Sequence, residues 1–224
     1  MRKPMRWLAV SDLHGDLAAV WEAIDGFAPD ALLCCGDWGD PDRVSEGDLA
    51  AVAVRLPVLT TFGNHDPLDA LPRVRNRDGS PILLAQGEVR DVAGWRIAAI
   101  GGIWAKSHRR RHYVTDEDVA ECARRIAAAG SIDLLLTHGC PIGLADLTPR
   151  GTHGGQRCFL EAFRAIGPRI HLCGHLHVAQ ERHLRNGRIV INVGHTPSGD
   201  VVVIEGEPPG ARRERFDRVA RAPA

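Results

Sequence analysis

The sequence predicts an α/β fold in which two packed, mixed sheets are flanked by helices. Three observations carry this. In the first third, strand patterns over residues 6–10, 31–35 and 57–61 alternate with helical spacing over 16–27 and 42–55. That β-α-β-α-β rhythm implies right-handed crossovers and parallel strands. Further on, short strands over 82–85, 88–92 and 95–100 are joined by Gly-containing turns, which suggests an antiparallel meander. Finally, no repeat, linker or low-complexity run divides the chain. Residues 1–207 are therefore expected to form one domain. Residues 208–224, rich in Pro, Arg and Ala, are expected to form a surface tail or a short frayed helix.

Taken in order, the first helix rests on Leu17, Val20, Trp21 and Ile24, and the second on Val44, Leu49, Val52 and Val54. A third helix is expected over 116–129, with Thr115 or Asp116 as N-cap and Gly130 at its end. A buried strand over 132–137, a helix over 154–166 and a strand over 169–173 follow. Strands over 180–184, 188–193 and 201–205 complete a hairpin-rich sheet, with Asn186-Gly187 as a turn signal.

Composition narrows the function classes. A chain of 224 residues is long enough to bury a sizeable core. The formal net charge is zero, so no global field draws it to nucleic acid or anionic membrane, and anion recognition must be local. Extended nucleic acid is not an expected partner. Six cysteines without a C-x-x-C pair read as buried free thiols in a reducing compartment. The first apolar run stops at Ser11-Asp12, too short for a secretory segment, and no stretch is long enough to span a bilayer. A cytoplasmic protein without a membrane partner is expected. Edge strands leave room for a homodimer.

Five polar clusters lie just after predicted strands. They are Asp12-Leu13-His14, Gly36-Asp37, Gly63-Asn64-His65-Asp66, Thr137-His138-Gly139 and Gly174-His175-Leu176-His177. The carboxyl ends of strands form the ligand crevice of α/β sheets, so clusters far apart in sequence can converge there. Two Asp, one Asn and four His offer mixed oxygen and imidazole donors. Such a set suits Mn, Fe, Zn, Co or Ni rather than Ca. Seven donors exceed the need of one ion; two ions sharing a carboxylate would use them. Asp37, alone in its cluster beside Gly36, is the candidate bridge. Two metals roughly 3.5–4 Å apart can hold a bridging hydroxide and clamp a phosphate in line. His65 then has the role of general acid, with Asp66 a candidate to hold its ring. Any one of these motifs alone is a common turn or strand-end string; their joint, ordered occurrence after five strands is the signal.

In this pattern the chain resembles the calcineurin-like metallophosphoesterases, most closely the small phosphodiesterase-type members. Their signature of D-x-H, G-D-x-x-D, G-N-H-[DE], a single G/T-H and G-H-x-H reads here as Asp12-Leu13-His14, Gly36-Asp37-Trp38-Gly39-Asp40, Gly63-Asn64-His65-Asp66, Thr137-His138 and Gly174-His175-Leu176-His177. The resemblance implies a four-layer α/β/β/α sandwich. It also implies a first metal on Asp12, His14 and His177, a second on Asn64, His138 and His175, and Asp37 between them. His65 would be the acid, and Asp40 and Asp66 would lie behind the ligands. Asn192-Val193-Gly194 is similar to an Asn-Pro-Gly segment of small members, with Val in place of Pro. Two divalent transition metals are implied, Mn or Fe first, with Zn, Co or Ni as alternatives.

The expected activity is hydrolysis of a small phosphodiester, of the cyclic-nucleotide or nucleotide-diester class, by the bridging hydroxide with His65 as acid. A phosphomonoesterase, a nuclease on short oligonucleotides and a catalytically inactive protein-binding scaffold are the alternatives. Arg109, Arg110 and Arg111 form a basic loop that reads either as substrate contacts, with Trp104 or Tyr113 stacking, or as a solvated surface. His153, before Gly154-Gly155 and Arg157, reads either as part of an anion site or as a helix entry. His171 is expected to sit in the core or on a sheet face. Cys140 is expected to be a packing thiol rather than a nucleophile.

Overall fold

The computed structural model describes residues 5–206 and 210–218. The elements run β1 (Trp7–Val10), α1 (Leu17–Phe27), β2 (Ala31–Cys34), α2 (Glu46–Arg55), β3 (Val58–Thr60), β4 (Val89–Val92), β5 (Trp95–Ile100), β6 (Ile103–Trp104), β7 (Tyr113–Val114), α3 (Asp116–Ala128), β8 (Leu134–Thr137), α4 (Arg157–Ile166), β9 (Ile170–Cys173), β10 (Gln180–His183), β11 (Ile189–Asn192), β12 (Asp200–Glu205) and β13 (Gly210–Arg215). One sheet has the order β13-β12-β1-β2-β3, and the second β10-β11-β9-β8-β5-β4. Strands β1, β2 and β3 are parallel, as are β5, β8, β9 and β11. Strands β12, β13, β4 and β10 add antiparallel pairings.

Burial separates three apolar layers. Leu8, Val10, Leu32 and Val58 face α1 and α2, meeting Val20, Ile24, Leu49 and Val52. The alternate residues Trp7, Ala9, Leu33 and Leu59 face the second sheet and meet Ile97, Leu134, Leu136 and Leu172. On the far side, Ala98, Ile100 and Leu135 pack on Val119, Ile126 and Phe159 of α3 and α4. A strand buried on both faces can be apolar at every position, which is why β1, β2 and β8 carry continuous apolar runs. The result is the four-layer sandwich with two mixed sheets. Among the described residues, no helix is long and apolar enough to cross a membrane.

Several local expectations change. α2 starts at Glu46, four residues late, because Ser45 and Asp48 form a capping box: Ser45 Oγ accepts from the Asp48 amide and Asp48 accepts from the Ser45 amide. Thr115 and Asp118 cap α3 in the same way. α4 starts at Arg157 rather than at residue 154, since Gly155 instead donates to Asp146 and Gln156 holds extended backbone. The stretch 82–85 makes no strand. It meets β3 only through a bridge of Leu83 to Thr60, because β3 ends there and turns into a loop. The expected meander is thus one hairpin, β4–β5, and β5 goes on to pair with β8 in parallel. Residues 210–215, expected in a tail, form β13. Their main chain completes the ladder of β12 while the Arg side chains stay exposed. The other ends of that expected tail, 208–209 and 219–224, lie outside the described residues.

His171 lies fully buried on β9, stacked on Phe163 with ring centroids 5.7 Å apart. Thr137 Oγ1 donates to Gly139 O, so its lone pair accepts from His171 Nε2 at 2.8 Å. Burial pushes this imidazole down from 6.5 to about 3. Between those values the unfolded chain binds the proton and the folded chain does not. Stability present above about pH 6.5 is therefore lost as pH falls, by up to about 1.4 kcal/mol per pH unit from this group. His171→Gln removes that slope. Urea unfolding at pH 7 and pH 5 should show the wild type losing more stability than the variant; equal losses would contradict the buried neutral ring.

Candidate metal centre

The loops leaving the carboxyl ends of β1, β2 and β3 run side by side and are joined through main chain. The amides of Leu13 and His14 donate to Asp37 O at 2.8 and 3.1 Å, Gly15 donates to Trp38 O at 2.7 Å, and Gly39 donates to His65 O at 2.8 Å. Asp66 ties the same loops from behind. Its buried carboxylate accepts from the amides of Asp37, Trp38 and Gly63 at 2.8, 2.8 and 2.6 Å. In the second sheet, the Gly174 amide donates to His138 O at 3.1 Å, joining the loops after β8 and β9.

Among the hydrogen bonds that cross from sheet to sheet, two fix candidate ligands. His138 Nδ1 donates to Cys35 O at 2.9 Å, which leaves Nε2 as the donor nitrogen toward the crevice. The His175 amide donates to both Asp12 oxygens, at 3.1 and 2.9 Å. Glycine is required where these loops touch. A Cβ on Gly63 would overlap Asp37 Oδ1 and lie 2.6 Å from His138 Nε2, and one on Gly174 would lie 2.6 Å from Asp12 Oδ2. Asn192 supports the last loop: Nδ2 donates to Gly174 O at 3.1 Å and to Cys140 Sγ at 3.2 Å. Burial pushes the Cys140 thiol up, and its Sγ packs beneath the loop, donating to Gly174 O at 3.0 Å.

All seven donors expected as ligands converge. His14 and His177 bring their Nε2 atoms to 3.0 Å, and His177 Nε2 lies 3.3 Å from Asp12 Oδ1. His138 Nε2 lies 3.3 Å from both Asp37 Oδ2 and Asn64 Oδ1, and the ring of His175 is 5.2 Å from that of His138. Asp37 also reaches toward His14, Nε2 to Oδ2 3.9 Å, so this one carboxylate faces both groups. Five of the donors, Asp12, His14, Asp37, His175 and His177, hold left-handed backbone at φ 54°, 47°, 60°, 71° and 55°. Such a conformation costs a non-glycine residue about 1–2 kcal/mol. That strain gathers at one place, as it does at functional sites.

The electrostatics are those of a crowded, partly buried cluster. Burial raises the Asp37 carboxyl, but the charge of His138 and the hydrogen bonds from His138 and the His65 amide outweigh it. The carboxyl is held well below the usual carboxylate range. Burial opposes the charge on His138, yet Asp37 and Asp12 hold this ring up to about 10. His175 is pushed down to about 4 by burial and by its neighbour His138. The hydrogen bond that His177 donates to Asp12 raises it, and burial lowers His14. Donor atoms of Asp12, His14 and His177 lie within 4.8 Å of one another, as do those of Asp12, Asp37 and His138. Two imidazole Nε2 atoms 3.0 Å apart beside two carboxylates make a donor set that fits divalent transition metals.

Other residues fall differently from expectation. The ring of His65 is held by Asp40, with Nδ1 3.1 and 3.2 Å from its oxygens, and not by Asp66, whose oxygens are taken by three amides. In the basic loop, Arg111 is paired with Asp69 at 2.7 Å, and Trp104 Nε1 donates to Asp116 rather than standing free to stack. The loop does border the site, since His112 Nε2 donates to Asp66 O at 3.0 Å. Arg109 and Arg110 are exposed there. His153 is exposed, and Nδ1 lies 2.8 Å from the buried Asp146. It stands in an isolated bridge to Leu147, outside any helix entry. One neighbour lies outside every motif: the ring of His195 is 5.1 Å from His177 and 6.2 Å from His14.

A crevice of this build, between two sheets of this topology, has relatives of known class. The calcineurin-like phosphoesterase family matches residues 5–179, and the chain belongs to that family. Among solved structures, a Thermus thermophilus protein superposes with TM-score 0.72 at 15% identity, covering 95% of this chain and 99% of that one. A dimetal phosphatase from Danio rerio gives 0.58 at 11%, covering 91% and 93%. A 5'-nucleotidase from Candida albicans gives 0.56 at 12%, covering 97% of this chain and 52% of the other. At these identities the likeness is one of fold. No curated protein matches the chain.

Two outcomes are expected. Asp37→Ala should lose high-affinity binding of both metals, measured as Mn2+ equivalents retained after gel filtration; two retained equivalents would exclude a shared ligand. Asp66→Ala strands three buried amides, each costing about 1–3 kcal/mol. It should lower the urea midpoint clearly, while Asp40→Ala, at a half-exposed carboxylate, leaves it near wild type.

Proposed function

We propose that this protein is a metal-dependent phosphodiesterase acting on small diesters of the cyclic-nucleotide or nucleotide-diester class, with His65 as general acid. The setting of His65 carries the reading. Its amide donates to Asp37 Oδ1 at 2.7 Å, which fixes the residue against the candidate bridging carboxylate. A ring nitrogen lies within 4.8 Å of donor atoms of both His14 and Asp37. The ring is 42% exposed, so substrate can reach it. Asp40 orients the ring through Nδ1 and leaves Nε2 to hand a proton to a departing ester oxygen. An alkoxide needs that proton, and a positioned acid is worth about 10²–10⁴-fold.

In this reading Asp12, His14 and His177 hold one metal, Asn64, His138 and His175 the other, and Asp37 both. Mn or Fe is the first choice, since mixed oxygen and imidazole donors suit either. Bound metals would supply a water-derived nucleophile at neutral pH and neutralise phosphoryl charge. The side chains do the remaining work: the sheet-crossing bonds of His138 and His175 keep the donors in register, and the exposed Arg109 and Arg110 are proposed contacts for an anionic substrate. His153, fixed by Asp146, is a further contact for such a substrate. The phosphatase and the nucleotidase that share the fold support a monoester alternative.

The test is hydrolysis of bis-p-nitrophenyl phosphate against p-nitrophenyl phosphate with Mn2+. Turnover of the diester is expected to exceed that of the monoester. His65→Ala should reduce diester turnover by about 10²–10⁴-fold with Mn2+ binding retained. A preference for the monoester would replace the diester reading, and wild-type turnover in the variant would remove the acid role.

A further inference from the structure

The segment between β11 and β12 carries none of the five motifs, yet it packs against them. Thr196 is fully buried. Its amide donates to Ser11 O at 3.1 Å, and its hydroxyl accepts from the Ser11 amide at 3.0 Å. These bonds pin the segment to the loop of Asp12 and His14. The preceding residue, His195, is thereby set over the site. Its ring stacks on His177 with centroids 5.1 Å apart and planes 25° apart. Its own position is fixed twice, by Nδ1 at 2.7 Å from Ser198 Oγ and by its amide, which donates to Asp200 Oδ2 at 3.3 Å.

The C-terminal strand braces this segment from outside. The Phe216 amide donates to Gly199 O at 3.0 Å, and Arg215 Nη2 donates to Ser198 O at 3.1 Å. Arg218 donates to Pro197 O at 3.2 Å while its guanidinium pairs with Asp16 and Glu22. Asp16 caps α1, directly after the loop of His14.

His177 is the candidate ligand that most needs such support. Its side chain is 44% exposed, its backbone is left-handed, and Asp12 touches only Nε2. One edge of the ring meets His14, and one face is open to rotation unless something covers it. We propose that His195 is a positioning residue for the metal centre: its ring covers the face of His177 and holds that imidazole where Nε2 meets His14 and Asp12. This rests on the metal-site reading above. The contact that does this work is the ring face, 5.1 Å from His177 between centroids, while Nδ1 is engaged by Ser198. Groups that orient a metal-binding imidazole typically contribute about 10–100-fold in metal affinity.

The experiment is calorimetric titration of the metal-stripped full chain with Mn2+. His195→Ala should weaken one of two binding events by about 10–100-fold and leave the other unchanged. His195→Phe keeps a flat face and should restore affinity close to wild type. Arg218→Ala, remote from the donors, should give an intermediate loss. Wild-type affinity in His195→Ala overturns the proposal, as does a loss in His195→Phe equal to that in His195→Ala. In either case two Mn2+ bound by the wild type would leave the metal-centre reading standing. A wild type that binds no Mn2+ would sink both.

Discussion

Hydrogen bonds between the sheets hold the centre of this molecule together, foremost His138 to Cys35 O and the His175 amide to the Asp12 carboxylate. Each joins a loop of one sheet to a loop of the other. Each also uses a candidate ligand, so the bonds that align the sheets orient the donors at the same time. The glycines at positions 63 and 174 are what let the loops come this close. The apolar layer between the sheets brings the strand ends to one side of the molecule, and the two polar bonds convert that proximity into fixed geometry.

That geometry is not a relaxed one. Five donors occupy left-handed backbone, and three imidazoles crowd together at His14, His177 and His195. The strain is supported by a rigid surround: Asp66 with its three amides beneath the first-sheet loops, and Asn192 with Cys140 beneath the last. Cations bound among these donors would relieve the concentration of carboxylate charge. A site preorganised in this way places its cost on folding and not on each binding event.

Much of this is legible in the sequence because the donors fall in short strings directly after apolar strands, where topology alone brings them to one edge. Asp12, His14, Asp37, Asn64, His138, His175 and His177 stand out for that reason. What a linear string does not carry is direction. Asp66 adjoins His65 in the chain, but neighbouring side chains point apart, and Asp40 on another loop reaches the ring instead. His195 gives no sequence signal because its proximity comes from Thr196 pairing with Ser11, a contact between residues 185 positions apart. β13 is hidden because GARRER has no apolar face; an edge strand needs only main-chain partners. Turn chemistry explains the shifted helix starts, where Ser45 with Asp48 and Gly154 with Gly155 override an otherwise helical spacing.

The pairing of β1 with β12 has a temporal side. Trp7 finds its antiparallel partner at Ile204, so a central strand of the first sheet gains that neighbour only once β12 has been made. During synthesis from the amino terminus, β1, β2 and β3 can associate early, but one flank of β1 stays unpaired until β12 emerges. Contacts of such long range slow folding and leave an edge open to wrong partners. The nascent protein must therefore keep an incomplete sheet soluble until β12 emerges.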